Sequence, residues 1–391
     1  MLPPDEALRL VLDAVRPLAP REMPLARAGG LVLAVDVRAA ADMPAFDNSA
    51  MDGWALRAAD AGNVRLAGAV MAGDAGGSLP SGAAVRIMTG APLPAGADCV
   101  VPKECGREEG GALVLGEPPE RGQHVRPRGE DARAGELMLE AGRALGVFEV
   151  AVAAAQGLSR VRVVPSPRVA VVTSGDELRS PWEPLGPGQV RDTSTPALCE
   201  ALRRWGAVPV PVGAARDERA ELETLLKTAW AAADAVLVTG GVSVGERDLT
   251  RPALAALGAR EVFWRTAVKP GKPLLFALWD GKPVWGLPGN PVSSLVTAEV
   301  FVKPALDVMA GRRPATRPFP ERGALGAAFT KPAGLRQFLF CRAPRGPSAL
   351  EPVVPQNSGR LSMGTRAQAL AVLPEGRAEF KPGDEVDFRW L

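Results

Sequence analysis

At 391 residues, with 47% hydrophobic and 23% charged residues, the chain has the composition of a globular protein with room for two to four domains. Its 46 basic and 44 acidic residues are well mixed and leave a formal net charge of +2, which gives no electrostatic footprint for a nucleic-acid backbone. The 43 glycines and 38 prolines fall short of the ~25–30% typical of low-complexity disorder and imply a chain rich in turns.

From the N-terminus, Asp5 is expected to cap an amphipathic helix over 5–17, where Ala7, Leu8, Leu10, Val11, Leu12 and Val15 recur at helical spacing. The start has no basic region followed by an apolar run, and no stretch of 18 apolar residues occurs, so a cytoplasmic protein without membrane contact is expected. Short β-type runs at 31–35, 97–101 and 112–115, divided by Gly/Pro turns, predict a β-rich module over 25–139. A helix-compatible run at 145–158 follows. Packed with the first helix it would make a small helical linking domain, 1–24 and 140–165, with the β module inserted between its halves. After a linker at Pro165-Ser166-Pro167, strands at 168–173, 207–210 and 235–239 alternate with helices at 194–204, 217–232 and 291–310. That alternation predicts a doubly wound α/β domain over 166–312. The remainder, 313–391, returns to short strands such as 338–340 and 369–373 and predicts a C-terminal β domain. The expected fold class is multidomain α/β plus β.

The four cysteines, Cys99, Cys105, Cys199 and Cys341, form no CxxC pair or zinc spacing and read as buried or incidental thiols of a reducing compartment. With one histidine, His124, read as a surface or packing residue, and no tyrosine, chemistry falls to Asp, Glu, Lys, Arg, Ser, Thr, backbone amides and metal.

Lys269-Pro270-Gly271-Lys272-Pro273 puts two lysines on a stiffened turn, and Pro288-Gly289-Asn290-Pro291 opens a helix with Asn290 as N-cap and Pro291 in its first position. Both features attract anions, which indicates phosphate or oxyanion handling; two solvated lysines on a turn satisfy the same pattern. Upstream, a loop of small residues beginning Thr239-Gly240-Gly241-Val242-Ser243 leads to Asp248 and offers backbone donors to phosphate. Lacking a G-K-[ST] ending, it is not a P-loop. Ligands of doubly wound sheets sit beyond the carboxyl ends of the strands, so Asp176, Glu177 and Asp248 should reach one rim. Such oxygen ligands suit Mg2+, and they equally suit capping of the turns that follow. The turn-like segments 46–54, 86–92 and 126–131 are open to structural or functional readings.

Taken in order, FDNSAMDGWA, RIMTGAP, RPRGEDA, SGDEL, TGGVSVGERD, KPGKP and GLPGNPVS resemble the molybdopterin molybdenumtransferase family, comprising bacterial MoeA proteins and the E domain of gephyrin. The resemblance implies a four-domain homodimer whose central domain looks like molybdopterin adenylyltransferase. Its substrates would be adenylylated molybdopterin and molybdate; with Mg2+ the phosphoanhydride is cleaved, AMP leaves and molybdenum stays on the pterin dithiolene. Carried over position by position, it implies catalytic roles for Asp52, Thr89, Asp131, Glu177, Asp217, Asp248, Lys269 and Lys272, with Glu177 and Asp248 on the metal and the lysines on phosphate or molybdate. Gly240, Gly241, Ser243, Gly289, Asn290 and Pro291 would contact the substrate, and Arg336 and Ser358 an oxyanion or pterin phosphate. Implied partners are a second copy, whose β module would meet this chain's α/β domain, and further the adenylyltransferase and apo-molybdoenzymes. The chain departs from the family pattern with Trp54 for tyrosine, Arg265 for lysine and Asp192-Thr193-Ser194 for Asp-Ser-Asn. Two rival readings are the preceding adenylylation step and a non-enzymatic scaffold or cofactor carrier.

Overall fold

The computed structural model describes residues 1–391 apart from 63, 243–247 and 316. Two compact units are formed, one of Met1–Glu22, Gly30–Ala34 and Arg162–Leu391, the other of Met23–Gly29 and Val35–Val161.

The first unit is built on a six-stranded sheet in the order Val208–Ala215, Arg168–Ser174, Ala235–Thr239, Lys282–Leu287, Leu275–Trp279, Arg260–Trp264. The first four strands run parallel and the last two join antiparallel. The near-continuous apolar runs of these strands follow from burial on both faces, because successive side chains point to opposite sides. Val169, Val171, Ala235, Leu237 and Trp285 enter one core with Leu198 and Leu202 of the helix Ser194–Arg204. Ala170, Val172, Val236, Val238 and Val284 enter the other with Leu222 and Leu226 of the helix Arg219–Ala232. Each such fully buried Val or Leu contributes about 1.5–3 kcal/mol. This is the expected doubly wound arrangement. Chain order reverses between Arg168–Ser174 and Ala235–Thr239, so a crevice forms beyond their carboxyl ends.

Three local expectations are corrected. The N-terminal helix runs Pro4–Ala14 and is preceded by Pro3, not capped by Asp5; proline suits the first turn because its fixed φ is already helical, and the Asp5 carboxylate is bound elsewhere. The predicted helix over 291–310 is interrupted: Pro291–Thr297 and Lys303–Met309 are α-helical and Ala298–Val302 is a π-helical turn. Of 31–35 only Val32–Leu33 is a strand, and it pairs with Val163 and Val164 inside the first unit, not within the β module.

The C-terminal sheet has the order Val268–Lys269, Arg336–Arg342, Ala369–Leu373, Glu385–Trp390, Glu321–Ala324. Its first strand comes from the segment with the two lysines: Val268 and Lys269 pair in parallel with Arg336 and Gln337. Periodicity is local information and cannot reveal a ladder between segments so far apart in the chain.

The second unit carries a six-stranded sheet in the order Cys99–Pro102, Gly53–Leu56, Ala83–Ile87, Val64–Val70, Ala112–Leu115, Gly106–Glu109. Alternation again sorts the side chains, with Trp54, Leu56 and Val101 in one core and Ala55, Val85 and Val100 in the other. The helix Val147–Ala155 belongs to this unit and the helix Pro4–Ala14 to the first. Cys99, Cys199 and Cys341 are buried and Cys105 is exposed, all as free thiols. Burial pushes the Cys99 and Cys341 thiols up to about 12. Among the described residues no helix is long and apolar enough to cross a membrane.

Candidate functional site

All four parallel strands deliver their carboxyl ends to one cavity of about 730 Å3. Arg168–Ser174 leads to Gly175 and Glu177, Val208–Ala215 to Asp217, Ala235–Thr239 to Gly240, Gly241 and Asp248, and Lys282–Leu287 to Gly289, Asn290 and Pro291. The crevice is narrow at its base because of Gly240, whose φ is +92° and where a Cβ would lie 2.3 Å from the Ser174 carbonyl oxygen. Only glycine allows the two loops this approach. The Thr250 hydroxyl donates to the Gly240 carbonyl at 2.9 Å and its N–H to that of Gly241 at 3.1 Å, which fixes the turn.

Carboxylates line the cavity, and they differ in how they are used. Asp192 is buried and accepts from the N–H groups of Ser194 and Thr195 (both 3.0 Å) and from the hydroxyls of Thr195 (2.6 Å) and Thr173 (3.2 Å). It is therefore spent on starting the helix Ser194–Arg204. The Asp176 carboxylate accepts from the Asp217 N–H at 3.0 Å, which ties two loops distant in the chain, and it does not line the cavity. Glu177, Asp217 and Asp248 do line it. Ser243 lies outside the described residues.

Lys269 and Lys272 are exposed and line a second cavity of about 450 Å3 with Ser293, Gln337 and Ser358. The two cavities share Pro273, Pro288 and Asn290 as a common wall. Asn290 stands at the predicted N-cap position and Pro291 in the first turn, but the Asn290 side chain caps nothing; its Nδ2 donates to Ser358 Oγ at 3.2 Å and so ties the helix start to the C-terminal segment. Arg336 does not line the cavity that Ser358 lines. Its guanidinium holds Asp5 in a bidentate pair at 2.5 and 2.8 Å and Glu375 at 3.0 Å, and it lines a third cavity instead. The Arg336 hydrogen bonds hold the Asp5 carboxyl below its ordinary value. Arg265, with φ +72°, lays its guanidinium over the Trp264 ring at 4.2 Å, a cation–π contact.

In the second unit, Thr89 donates both its N–H and its hydroxyl to Asp52 Oδ1 at 2.8 Å, which holds the Asp52 carboxyl below the ordinary carboxylate value. These two predicted residues are thus brought together. Gly53, next to Asp52, is required by the sheet, since a Cβ there would lie 1.9 Å from the Val101 carbonyl oxygen. Asp131 lines a cavity of about 450 Å3 with Asn48, Arg126 and Glu130, in which Asp52 and Thr89 take no part. Trp54, the departure from tyrosine, is buried and donates its indole N–H to Glu108 at 2.9 Å. Arg86 and then Trp54 pull the Glu108 carboxyl down to about 2.

Sequence reasoning overlooked Asp192 as a buried cap and Gln337 and Ser293 as cavity residues. Ser293 is the last residue of the GLPGNPVS motif; no sequence signal marks Gln337.

Three family descriptions cover most of the chain: MoeA N-terminal region (domain I and II) over residues 2–157, probable molybdopterin binding domain over 170–308, and MoeA C-terminal region (domain IV) over 322–391. The chain is 35% identical over 396 residues to molybdopterin molybdenumtransferase 2 of Mycobacterium tuberculosis, spanning 98% of each. It is 37% identical over 403 residues to molybdopterin molybdenumtransferase of Synechococcus elongatus, again 98% of each. A solved molybdopterin biosynthesis MoeA protein from Pyrococcus horikosii superposes with a TM-score of 0.85 at 30% identity, covering 100% of this chain and 99% of that one. On the motifs, the fold and these matches, the chain belongs to the molybdopterin molybdenumtransferase (MoeA) family.

Proposed function

We propose that this chain, a transferase of molybdenum cofactor biosynthesis by its family, inserts molybdenum from molybdate into adenylylated molybdopterin and releases AMP. The observation that carries the reading is the pair of adjoining cavities: carboxylates line one, two lysines line the other, and Asn290 belongs to both. A substrate with a phosphoanhydride and an acceptor for an oxyanion needs such neighbouring sites of opposite charge.

Glu177 and Asp248 are the residues that would hold Mg2+ in the first cavity, whose lining also includes Asp217. Their donor set is entirely hard oxygen. That fits Mg2+, which takes one or two carboxylates and completes its shell with water and substrate phosphate. When bound, the ion neutralises phosphate charge and polarises the phosphorus–oxygen bonds. The chain's own part is positioning: the loops at Gly240, Gly241 and Gly289 bring backbone close to the phosphates, and Lys269 and Lys272 hold a dianion. At ~4 Å and an effective dielectric near 20, each unit charge pair is worth about 4 kcal/mol. The proposed working form is a homodimer, which would let Asp52, Thr89 or Asp131 of one copy serve the cavity of another.

Loss of one preorganised charged group costs roughly 10²–10³ in rate. Asp248→Ala and Lys269→Ala should each slow AMP release by about that factor in protein that still folds, and wild-type turnover in either would reject the assignment. ATP consumption without molybdate would favour the adenylylation reading, and absence of any AMP release the scaffold reading.

A further inference from the structure

We infer that Gln337 is a direct ligand contact in the lysine-bearing cavity, its side-chain amide donating a hydrogen bond to the oxyanion beside Lys269 and Lys272. The inference rests on the proposed assignment of that cavity to molybdate and adds a residue that no motif marks.

Gln337 is 3% exposed and lines the cavity. Its Oε1 is buried and, among the described residues, has no hydrogen-bond partner. A buried amide oxygen left unpaired opposes folding, so no hydrogen bond within the fold accounts for this side chain. The neighbouring Gln356 shows the contrast: its Nε2 donates to the carbonyls of Phe340 at 2.9 Å and Val353 at 2.7 Å, and its Oε1 accepts from the Phe340 N–H at 3.3 Å. Gln356 is consumed by the fold and Gln337 is not. The ladder also pairs Gln337 directly with Lys269, which puts both side chains on one face of the sheet.

A tetrahedral dianion offers only acceptors, so every group facing it must donate. The Gln337 amide carries two N–H donors on Nε2, which can serve an oxyanion in the cavity that Gln337 lines. A carboxylate at this position could not do so and would cancel part of the lysine charge. Gln337 therefore keeps the cavity's charge matched to a doubly charged, fully deprotonated oxyanion.

The experiment is calorimetric titration of molybdate and of sulfate into the full-length wild type, Gln337→Leu and Gln337→Glu, with thermal unfolding of each. Gln337→Leu should bind molybdate about 10-fold more weakly, the worth of one hydrogen bond to a charged group, while unfolding no earlier than the wild type. The nearly isosteric Gln337→Glu should lose about 100-fold or more, because it also sets a negative charge near the dianion. If both variants bind molybdate as tightly as the wild type, the inference is overturned while the cavity assignment stands. If the wild type binds neither oxyanion, the cavity assignment fails and takes the inference with it.

Discussion

Replacing Gly240 by alanine should force apart the two loops that form the base of the carboxylate-lined cavity. The new Cβ would sit 2.3 Å from the Ser174 carbonyl oxygen, whereas ordinary contact begins at 3.4 Å, so one loop must retreat by about 1 Å. The backbone adds its own cost, since φ is +92° and a side chain in left-handed conformation costs roughly 1–2 kcal/mol. Overpacking adds about 1–3 kcal/mol, for a total near 2–5 kcal/mol. Gly281→Ala separates the two contributions: φ there is +79° with nothing within 4 Å of the added atom, so only the backbone cost of about 1–2 kcal/mol applies. Urea unfolding of both variants, followed by tryptophan fluorescence, measures the difference. In the same preparations AMP release by Gly240→Ala should fall about 100-fold, the usual consequence of a 1 Å misplacement in a positioning site. A Gly240→Ala protein as stable as Gly281→Ala and as active as the wild type would refute the account of the crevice.

Other expectations concern the carboxylates and Arg336. Thr89→Val removes the hydroxyl donor to Asp52 and leaves the backbone one, so the Asp52 carboxyl should titrate higher while staying below its ordinary value; an unchanged NMR titration would contradict the pairing. Because Asp52 is depressed, its pairing stabilises fully above the ordinary carboxylate value of 3.8 and loses that contribution as pH falls below it. Glu108 behaves alike between 4.5 and about 2, and Trp54→Phe should raise its titration only part of the way, since Arg86 is the larger cause. Arg336→Leu should cost about 1 kcal/mol of stability by releasing Glu375 and the exposed Asp5, and leave molybdate affinity as it was; a large loss of affinity would return Arg336 to the oxyanion.

The strands of the α/β domain were legible because both faces are buried: Ala235–Thr239 and the helix Ser194–Arg204 match the expected spans residue for residue. Of the carboxylates expected at one rim, Glu177 and Asp248 reach one cavity and Asp176 does not, because the carboxyl-end rule depends only on strand order and not on where a side chain turns; Asp217, implied by the resemblance alone, joins them. What stayed hidden were non-local pairings. The ladder of Lys269 with Gln337 and the bond of Asn290 to Ser358 join segments many residues apart. The claim of Asp5 on Arg336, across most of the chain, likewise turned an expected cap into an ion pair.

The most direct test of the central claim uses the wild-type protein with adenylylated molybdopterin, Mg2+ and molybdate, reading AMP and the recovery of activity by an apo-molybdoenzyme from the same reaction. The account predicts that both products appear together and that omitting molybdate or Mg2+ removes the active cofactor. Cofactor formation that proceeds without AMP, or no cofactor with all components present, would contradict it.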